Sequence, residues 1–185
     1  GTVQRQIDRR MTRLGIQDRR TYLAKLAEDH AELELLAKEL LINVNRFFRD
    51  AETFDHLSEK VIPDLIGGHP ADQPLRVWVA GCSSGEETYS LAIILMEAIA
   101  ALQRPVALQI FGTDVDVDAV ALAREGLYPK SIEADVSPER LARFFVAEKR
   151  GYRVRPELRA AVVLTVQDLL ADPPFSRLDF VSCRN

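Results

Sequence analysis

The sequence lacks the features that mark several broad classes of protein. It has 2 cysteines in 185 residues, Cys82 and Cys183, which lie far apart without metal-ligand spacing. No apolar run is long enough to cross a membrane, and the arginine-rich N-terminal stretch has no apolar segment of the signal-peptide type. These absences favour two reduced, buried thiols in a cytoplasmic protein without a metal site.

An excess of charge of one sign is also missing. The formal net charge of -4 does not favour general nucleic-acid binding, and aromatic residues do not interleave with basic ones. The three histidines, His30, His56 and His69, stand singly, so solvated or capping roles are expected for them. What the chain does have is 47% apolar residues, enough for a sizeable core in one or two domains.

The spacing of these apolar residues changes along the chain. Residues 1–66 show helical spacing, and GGHPADQP (67–74) has the composition of a linker. Beyond it, apolar runs predict buried strands at 76–81, 106–114, 161–167 and 178–184. Helical stretches near 86–101 and 117–125 separate the first three runs. This alternation predicts an α/β protein: an all-α domain at 1–66 and a mainly parallel sheet domain at 75–185.

A glycine-containing turn, VAGCSSGEETYSLA (79–92), follows the first predicted strand and enters a helix. Ligands bind at this end of the strands in open parallel sheets. A phosphate loop needs a lysine where Glu86 stands, and the dinucleotide pattern G-x-G-x-x-G is absent. Glutamates here would repel a pyrophosphate but suit S-adenosylmethionine, which carries a sulfonium, an ammonium and no phosphate. Alternatively, Glu86 and Glu87 only stabilise the N-terminal end of the helix.

The second predicted strand ends in another acidic stretch, GTDVD (112–116). An ionised Asp114 at that strand's carboxyl end has acceptors for two ribose hydroxyls. Helix capping by Asp116 or Asp118 is the alternative. Capping explains one acid well and the cluster of acids less well.

Four stretches together carry a family resemblance. They are LLINVNRFFRD (40–50), VWVAGCSSGEETYSLA (77–92), FGTDVDVDAVALAREGLYP (111–129) and VQDLLADPPFSRLDFVSCRN (166–185). In their order and spacing, the chain resembles the CheR-type chemotaxis receptor methyltransferases over almost its whole length. The motif sequences most resemble those of methyltransferase modules found in larger hybrid signalling proteins.

This resemblance implies a Rossmann-like class I methyltransferase domain preceded by a helical receptor-recognition domain. It also implies S-adenosylmethionine-dependent O-methylation of receptor glutamates, giving glutamyl methyl esters and S-adenosylhomocysteine in chemotaxis adaptation. The family's cofactor contacts fall here on Asn43, Asn45, Arg49, Ala80, Glu86, Asp114, Asp168, Leu169 and Asn185.

The chain departs from the family pattern at four positions. Asn45 and Ser84 stand where the family has threonine, and Thr88 stands where proline is common. Asp168 stands where asparagine is common, and an ionised aspartate only accepts hydrogen bonds. An ionised Asp168 therefore gives adenine no side-chain donor, and it can still accept a hydrogen bond from the adenine amine.

The implied chemistry is an in-line attack of a receptor carboxylate on the methyl carbon of the sulfonium. The carboxylate is ionised near neutral pH, so alignment rather than a catalytic base is required. Arg49 is the candidate catalytic residue, because a guanidinium matches a carboxylate with paired donors. Alternatively, NRFFRD is a packed joint in which Arg49 pairs with Asp50 or another acid.

A basic stripe on the first predicted helix is the candidate partner surface. Arg5, Arg9 and Arg13 recur every four residues and share one face. The resemblance implies docking to the acidic region around the glutamates of chemotaxis receptor cytoplasmic helices. A solvated helix face is the alternative, and neither nucleic acid nor membrane insertion is expected.

The resemblance also implies strands beyond the fourth one. We therefore expect a chain truncated at the C-terminus, whose stretch 178–184 presents an unpaired edge and promotes self-association. Two other functions remain open. The domain could be a catalytically silent cofactor-binding module, or it could methylate another carboxylate or a small molecule.

Overall fold

The computed structural model describes residues 2–42 and 45–184, without the side chains of residues 2, 3, 5, 6 and 38–42. The chain forms two compact units, Gly1–Asn45 and Arg46–Asn185. This division differs from the predicted helical domain at 1–66. Phe54, Ile62 and Ile66 belong to the core of the second unit, so the helices after residue 50 pack with the sheet. The functional domain boundaries stay a prediction.

The first unit consists of three helices, α1 (Thr2–Arg13), α2 (Arg19–Glu28) and α3 (His30–Ile42). Asp18 caps α2 by accepting a hydrogen bond from the Thr21 amide at 3.0 Å. Their small core contains Met11, Tyr22 and Leu36. The helical spacing noted in this part of the chain therefore corresponds to observed helices.

A buried ion pair lies beside this core. The Arg10 guanidinium donates to both carboxylate oxygens of Glu32, from Nη2 at 2.6 Å and from Nε at 2.9 Å. The Tyr22 hydroxyl donates to the same carboxylate at 2.9 Å. The bidentate hydrogen bonds from Arg10 and the bond from the Tyr22 hydroxyl together replace much of the hydration that Glu32 loses on burial.

The second unit contains two sheets and six α-helices among its described residues. Its helices are α4 (Ala51–His56), α5 (Ile62–Gly68), α6 (Glu86–Ala101), α7 (Val117–Glu125), α8 (Pro138–Phe144) and α9 (Pro156–Ala160). Its strands are β1 (Leu75–Ala80), β2 (Leu108–Asp114), β3 (Leu127–Tyr128), β4 (Phe145–Glu148), β5 (Gly151–Val154), β6 (Val162–Val166) and β7 (Phe180–Cys183). A π-helical turn (Leu57–Val61) joins α4 to α5, and a 3-10 turn (Lys130–Ala134) precedes α8.

The larger sheet has the order β6-β2-β1-β7, and every strand pair in it is parallel. Residue 77 lies opposite Ile110 on one side and Phe180 on the other, which fixes the register. The mixed α/β fold with a mainly parallel sheet is therefore confirmed. This register also brings the ends of β1, β2 and β7 to one edge, where the predicted ligand site lies.

The smaller sheet was not predicted. Between α7 and β6 the chain forms an antiparallel sheet with the order β3-β5-β4. These strands are only two to four residues long, too short for an alternating pattern to stand out in the sequence. At Gly151 an added Cβ would lie 1.9 Å from the Tyr128 carbonyl oxygen, so close contact with β3 requires glycine.

Strand β7 lies at one edge of the parallel sheet and pairs with β1 among the described strands. Val181 on this strand is half exposed. Cys183 is exposed too, so the prediction of two buried thiols is wrong for it, because an edge strand leaves its outward positions open. Cys82 is buried, and burial raises the pKa of its thiol to about 12. Self-association through 178–184 stays a prediction.

Candidate functional site

The turn between β1 and α6 is shaped by residues with positive φ. Gly81 has φ 71°, Ser83 has φ 47° and Gly85 has φ 92°. A Cβ at Gly85 would lie 2.8 Å from the Ala123 Cβ and 3.0 Å from the Tyr128 hydroxyl oxygen. Glycine is therefore required there both for the backbone conformation and for the close approach of α7 and β3.

Asp114 holds this turn from the neighbouring strand. Its Oδ2 accepts the Ser83 amide at 2.7 Å, and its Oδ1 accepts the Asp116 amide at 2.9 Å. Each carboxylate oxygen has a second lone pair, so these two bonds leave acceptor capacity for ligand hydroxyls. Asp114 thus organises the turn without exhausting its capacity to accept hydrogen bonds.

Helix capping, the alternative explanation for these acids, is performed by Asp116. Its Oδ1 accepts the amides of Asp118 and Ala119 at 2.9 and 3.1 Å at the start of α7. Capping therefore accounts for Asp116 and leaves Asp114, two residues earlier, with a different role.

Glu86 begins α6 directly after the turn. Its Oε2 accepts the Ser84 hydroxyl at 2.7 Å, so the serine at this position still supplies a donor. Burial raises the pKa of the Glu86 carboxyl, and the hydrogen bond from Ser84 only partly opposes this. A partly buried carboxylate with a raised pKa favours a ligand that brings a positive charge.

Glu87, the next residue, has different partners. Its Oε1 accepts the Ser182 hydroxyl of β7 at 2.6 Å, and its Oε2 lies 3.8 Å from Arg184 Nη1. The two adjacent glutamates are thus separated by role: Glu86 bonds to the glycine turn, and Glu87 connects α6 to the end of β7. The roles of Ser182 and Arg184 were missed in the sequence, although both lie within the stretch that carries the resemblance.

The segment around Arg49 has an unusual backbone. Phe48 and Asp50 adopt positive φ values of 49° and 62°, and Arg49 between them is partly buried. Phe47 is buried with its ring edge-on to Tyr128 at 4.8 Å between centroids. Phe47 thus packs into the core of the second unit, next to the residue that also contacts Gly85.

The segment after β6 lies beside β2. The Gln167 amide donates to the Asp114 carbonyl at 3.0 Å, which brings residues 168–172 to the strand end. Asp168 Oδ1 accepts the Leu170 amide at 2.8 Å, and Asp172 accepts the Asp168 amide at 2.8 Å. The neighbouring Leu169 is 46% exposed, so its side chain is accessible to a ligand.

The remaining predicted site residues differ in how far the structure describes them. Ala80 is buried at the end of β1. Asn43 and Asn185 lie outside the described residues, and Asn45 belongs to the first unit. Asp114 and Glu86 bond to adjacent residues of the turn, Ser83 and Ser84. The roles of all these side chains toward a cofactor stay a prediction.

Comparison with known families fits this arrangement. A family model described as CheR methyltransferase, SAM binding domain, matches residues 43–185. The chain belongs to this family. The match covers the whole parallel sheet and the glycine turn, so the CheR relationship agrees with the observed fold.

Several named relatives support the same assignment. A "Chemotaxis protein methyltransferase 1" of Pseudomonas aeruginosa is 34% identical over 82% of this chain and 57% of its own length. The "Chemotaxis protein methyltransferase" of Salmonella typhimurium is 32% identical over 99% of this chain and 63% of its own length. An uncharacterised 104.1 kDa protein of Rhodobacter capsulatus is 43% identical over the full chain, which spans only 19% of that protein. The CheR module therefore also occurs within much larger chains.

No helix in the described parts of the chain is both long and apolar enough to cross a membrane. Within residues 2–42 and 45–184, no group of three or more histidine, cysteine, aspartate or glutamate side chains could hold a metal ion.

Proposed function

We propose that this chain is the methyltransferase module of a protein that O-methylates glutamate side chains of chemotaxis receptors, using S-adenosylmethionine in the cytoplasm. The observation that carries the proposal is that Asp114 and the partly buried Glu86 both bond to the glycine turn, Asp114 through Ser83 and Glu86 through Ser84. The family match and the names of the relatives support the reaction class.

The residues present fit the cofactor. Asp114 has acceptor capacity for ribose hydroxyls, and Glu86 offers a partly buried carboxyl whose raised pKa a cationic ligand would lower. An added Cβ at Gly81 would meet no atom within 4 Å, so space lies beside the turn. We assign Asp114 to the ribose and Glu86 to the positively charged part of the cofactor. The further cofactor contacts that we propose, as the family resemblance implies them, are Ala80, Asp168, Leu169, Asn43, Asn45 and Asn185.

The bound cofactor would supply an electrophilic methyl group on its sulfonium. The acceptor carboxylate is ionised at neutral pH, so the chain needs no general base. What it must supply is alignment, which is worth roughly 7–11 kcal/mol in favourable cases. We assign Arg49 to hold the acceptor carboxylate through paired guanidinium donors, so that one of its oxygens faces the methyl carbon.

The test of this function has two parts. Calorimetry should show S-adenosylhomocysteine binding that Asp114→Ala weakens by roughly tenfold or more, since the variant loses charged hydrogen bonds. Binding of nucleotide phosphates at this turn, without the adenosyl cofactor, would contradict the proposal. Receptor fragments incubated with the full-length protein and labelled cofactor should acquire a base-labile ester.

Arg49→Ala tests the assigned role of the arginine. It should slow methyl transfer more than it weakens cofactor binding, because its partner is the acceptor carboxylate. Arg153→Ala is a suitable control, since Arg153 bonds to Glu148 and to the Glu125 carbonyl rather than to the turn. Equal losses of affinity and turnover in Arg49→Ala would assign Arg49 to the cofactor instead.

One observation favours a second candidate, a catalytically silent cofactor-binding module. Asp168 uses Oδ1 to accept the Leu170 amide, and a carboxylate provides no side-chain donor for adenine. Cofactor binding by the full-length protein, with no ester formed on any receptor fragment, would support this second candidate.

The partner surface is part of the proposal. Arg9 and Arg13 are exposed on α1, and the side chain of Arg5 lies outside the described residues. We propose that this basic face docks the acidic region of receptor helices. Reversing Arg9 to Glu should weaken receptor binding most at low ionic strength, because exposed charges are screened by salt.

A further inference from the structure

The backbone that presents Arg49 is strained. Phe48 and Asp50, on either side of it, have φ values of 49° and 62°, in the left-handed region that favours glycine. Such conformations persist where surrounding contacts hold them, and they cluster at functional sites. The contacts that hold residues 48–50 therefore decide where Arg49 lies.

One side of this turn is fastened to α6. The Phe48 amide donates to the Ser90 hydroxyl oxygen at 3.0 Å, and that hydroxyl donates to the Glu86 carbonyl at 2.6 Å. The Arg140 guanidinium also lies over the Phe48 ring, 4.4 Å from its centroid. The turn is thus tied to the same helical turn that carries the candidate cofactor residue Glu86.

The other side of the turn is fastened by Arg184, directly after β7. Its Nη1 donates to the Arg49 carbonyl at 3.3 Å, and its Nη2 donates to the Asp50 carboxylate. The side chain is only 23% exposed. A single planar guanidinium therefore bonds to both Arg49 and Asp50.

Arg184 is itself held in place. Its Nη1 lies 3.8 Å from Glu87 Oε2, while Glu87 Oε1 accepts the Ser182 hydroxyl at 2.6 Å. The guanidinium therefore lies between two carboxylates, those of Asp50 and Glu87. This network connects the end of β7, the first turn of α6 and the Arg49 turn.

We infer that Arg184 is a positioning residue, which acts through the backbone of residues 49–50 to align Arg49 for methyl transfer. The inference rests on the proposed function. Arg184 bonds to the carbonyl of Arg49 and the carboxylate of Asp50, so its effect on the reaction passes through the turn. Glu87 supports it from α6.

The test compares Arg184→Gln with Arg153→Gln in the full-length protein. Both arginines donate to one carboxylate and one backbone carbonyl, but Arg153 does so at the antiparallel sheet. Arg184→Gln should lower kcat roughly tenfold or more, because small displacements of an aligned group slow a reaction strongly. The affinity of Arg184→Gln for S-adenosylhomocysteine should change by less than about threefold. Arg153→Gln should leave both kcat and this affinity near their original values.

A double-variant cycle separates positioning from general damage. If Arg184 acts through Arg49, adding Arg184→Gln to Arg49→Ala should cause little further loss of kcat. Arg184→Lys, which keeps the charge opposite Asp50, should recover part of the rate. Additive losses in the double variant, or equal losses of affinity and kcat, would overturn the inference.

Hydrogen exchange gives a readout that does not depend on activity. The Thr53 amide bonds to the Asp50 carbonyl at 2.8 Å, and the Phe48 amide bonds to Ser90. Both amides should exchange faster in Arg184→Gln than in Arg153→Gln, and unchanged exchange would contradict the inference. If the original protein transfers no methyl group, the proposed function fails, while this exchange result still decides whether Arg184 holds the turn. If Arg184→Gln does not fold, Glu87→Gln replaces it in both measurements with the same expectations.

Discussion

Glu32, which is buried, and Glu86, which is partly buried, have opposite surroundings in this protein. Glu32, in the first unit, is 4% exposed and accepts two hydrogen bonds from Arg10. The Arg10 hydrogen bonds lower the pKa of Glu32 despite its burial. Glu86, in the second unit, accepts the Ser84 hydroxyl, and burial raises its pKa.

The difference supports the proposal that Glu32 is structural and that Glu86 faces the cofactor. A carboxylate that is buried with an arginine has its charge balanced inside the fold. A carboxylate whose pKa is raised by burial is held at a cost in stability, and such groups concentrate at functional sites. A cationic cofactor next to Glu86 would supply the positive charge that Arg10 supplies beside Glu32.

The largest expected effect comes from breaking the balanced pair. Arg10→Met should destabilise the first unit by about 3 kcal/mol, because it leaves the Glu32 carboxylate buried without its cation. Chemical denaturation followed by circular dichroism measures this change. Arg10→Met combined with Glu32→Leu is the control and should recover most of the loss, since it removes both charges. If the single variant were as stable as the original, burial of the pair would not matter to the fold.

Removing the charge of the other glutamate should have the opposite effect on stability. Glu86→Gln should raise the unfolding midpoint of the second unit near neutral pH, because the neutral amide avoids the burial of a charge. The same variant should weaken S-adenosylmethionine binding roughly tenfold, since a charged interaction is lost. Glu87→Gln serves as the control and should reduce cofactor affinity less, because Glu87 bonds to Ser182. A Glu86→Gln variant that is less stable and binds normally would show that Glu86 is structural.

This contrast was only partly visible in the sequence. The strand-turn-helix pattern placed Glu86 at the predicted ligand end of the sheet, and the apolar runs predicted all four parallel strands. The partner of Glu87 could not be predicted, because Ser182 lies 95 residues away and reaches α6 only through the pairing of β7 with β1. The Arg10–Glu32 pair was missed for the same reason: helical spacing shows which residues share a face, but not how two helices meet.

A titration should separate the two glutamates. The pKa of Glu32 is lowered from its ordinary value of 4.5, so its stabilising contribution is present above pH 4.5 and is lost as the pH falls through the lowered value. The pKa of Glu86 is raised above 4.5, so the folded second unit gains stability as the pH falls through that raised value toward 4.5.

Cofactor affinity should follow the second titration. A cationic ligand prefers the ionised Glu86, so S-adenosylmethionine binding should weaken as the pH falls through the raised pKa of Glu86. Calorimetry between neutral pH and pH 4.5 measures this change, with Glu86→Gln as the control whose affinity should be flatter over the same range. Equal pH dependence in both proteins would assign the effect to another group.

The smallest effect is expected at a third glutamate, which is paired but exposed. Glu148 accepts two hydrogen bonds from Arg153, and this lowers the pKa of Glu148. Both side chains are more than one third exposed, so water and salt already screen their charges. Arg153→Gln should therefore shift the unfolding midpoint far less than Arg10→Met does. Added salt should change the unfolding midpoints of the two variants alike. Denaturation of both variants at low and high salt tests this. A loss as large as that of Arg10→Met would mean that pairing alone, rather than pairing under burial, determines how much a carboxylate stabilises this protein.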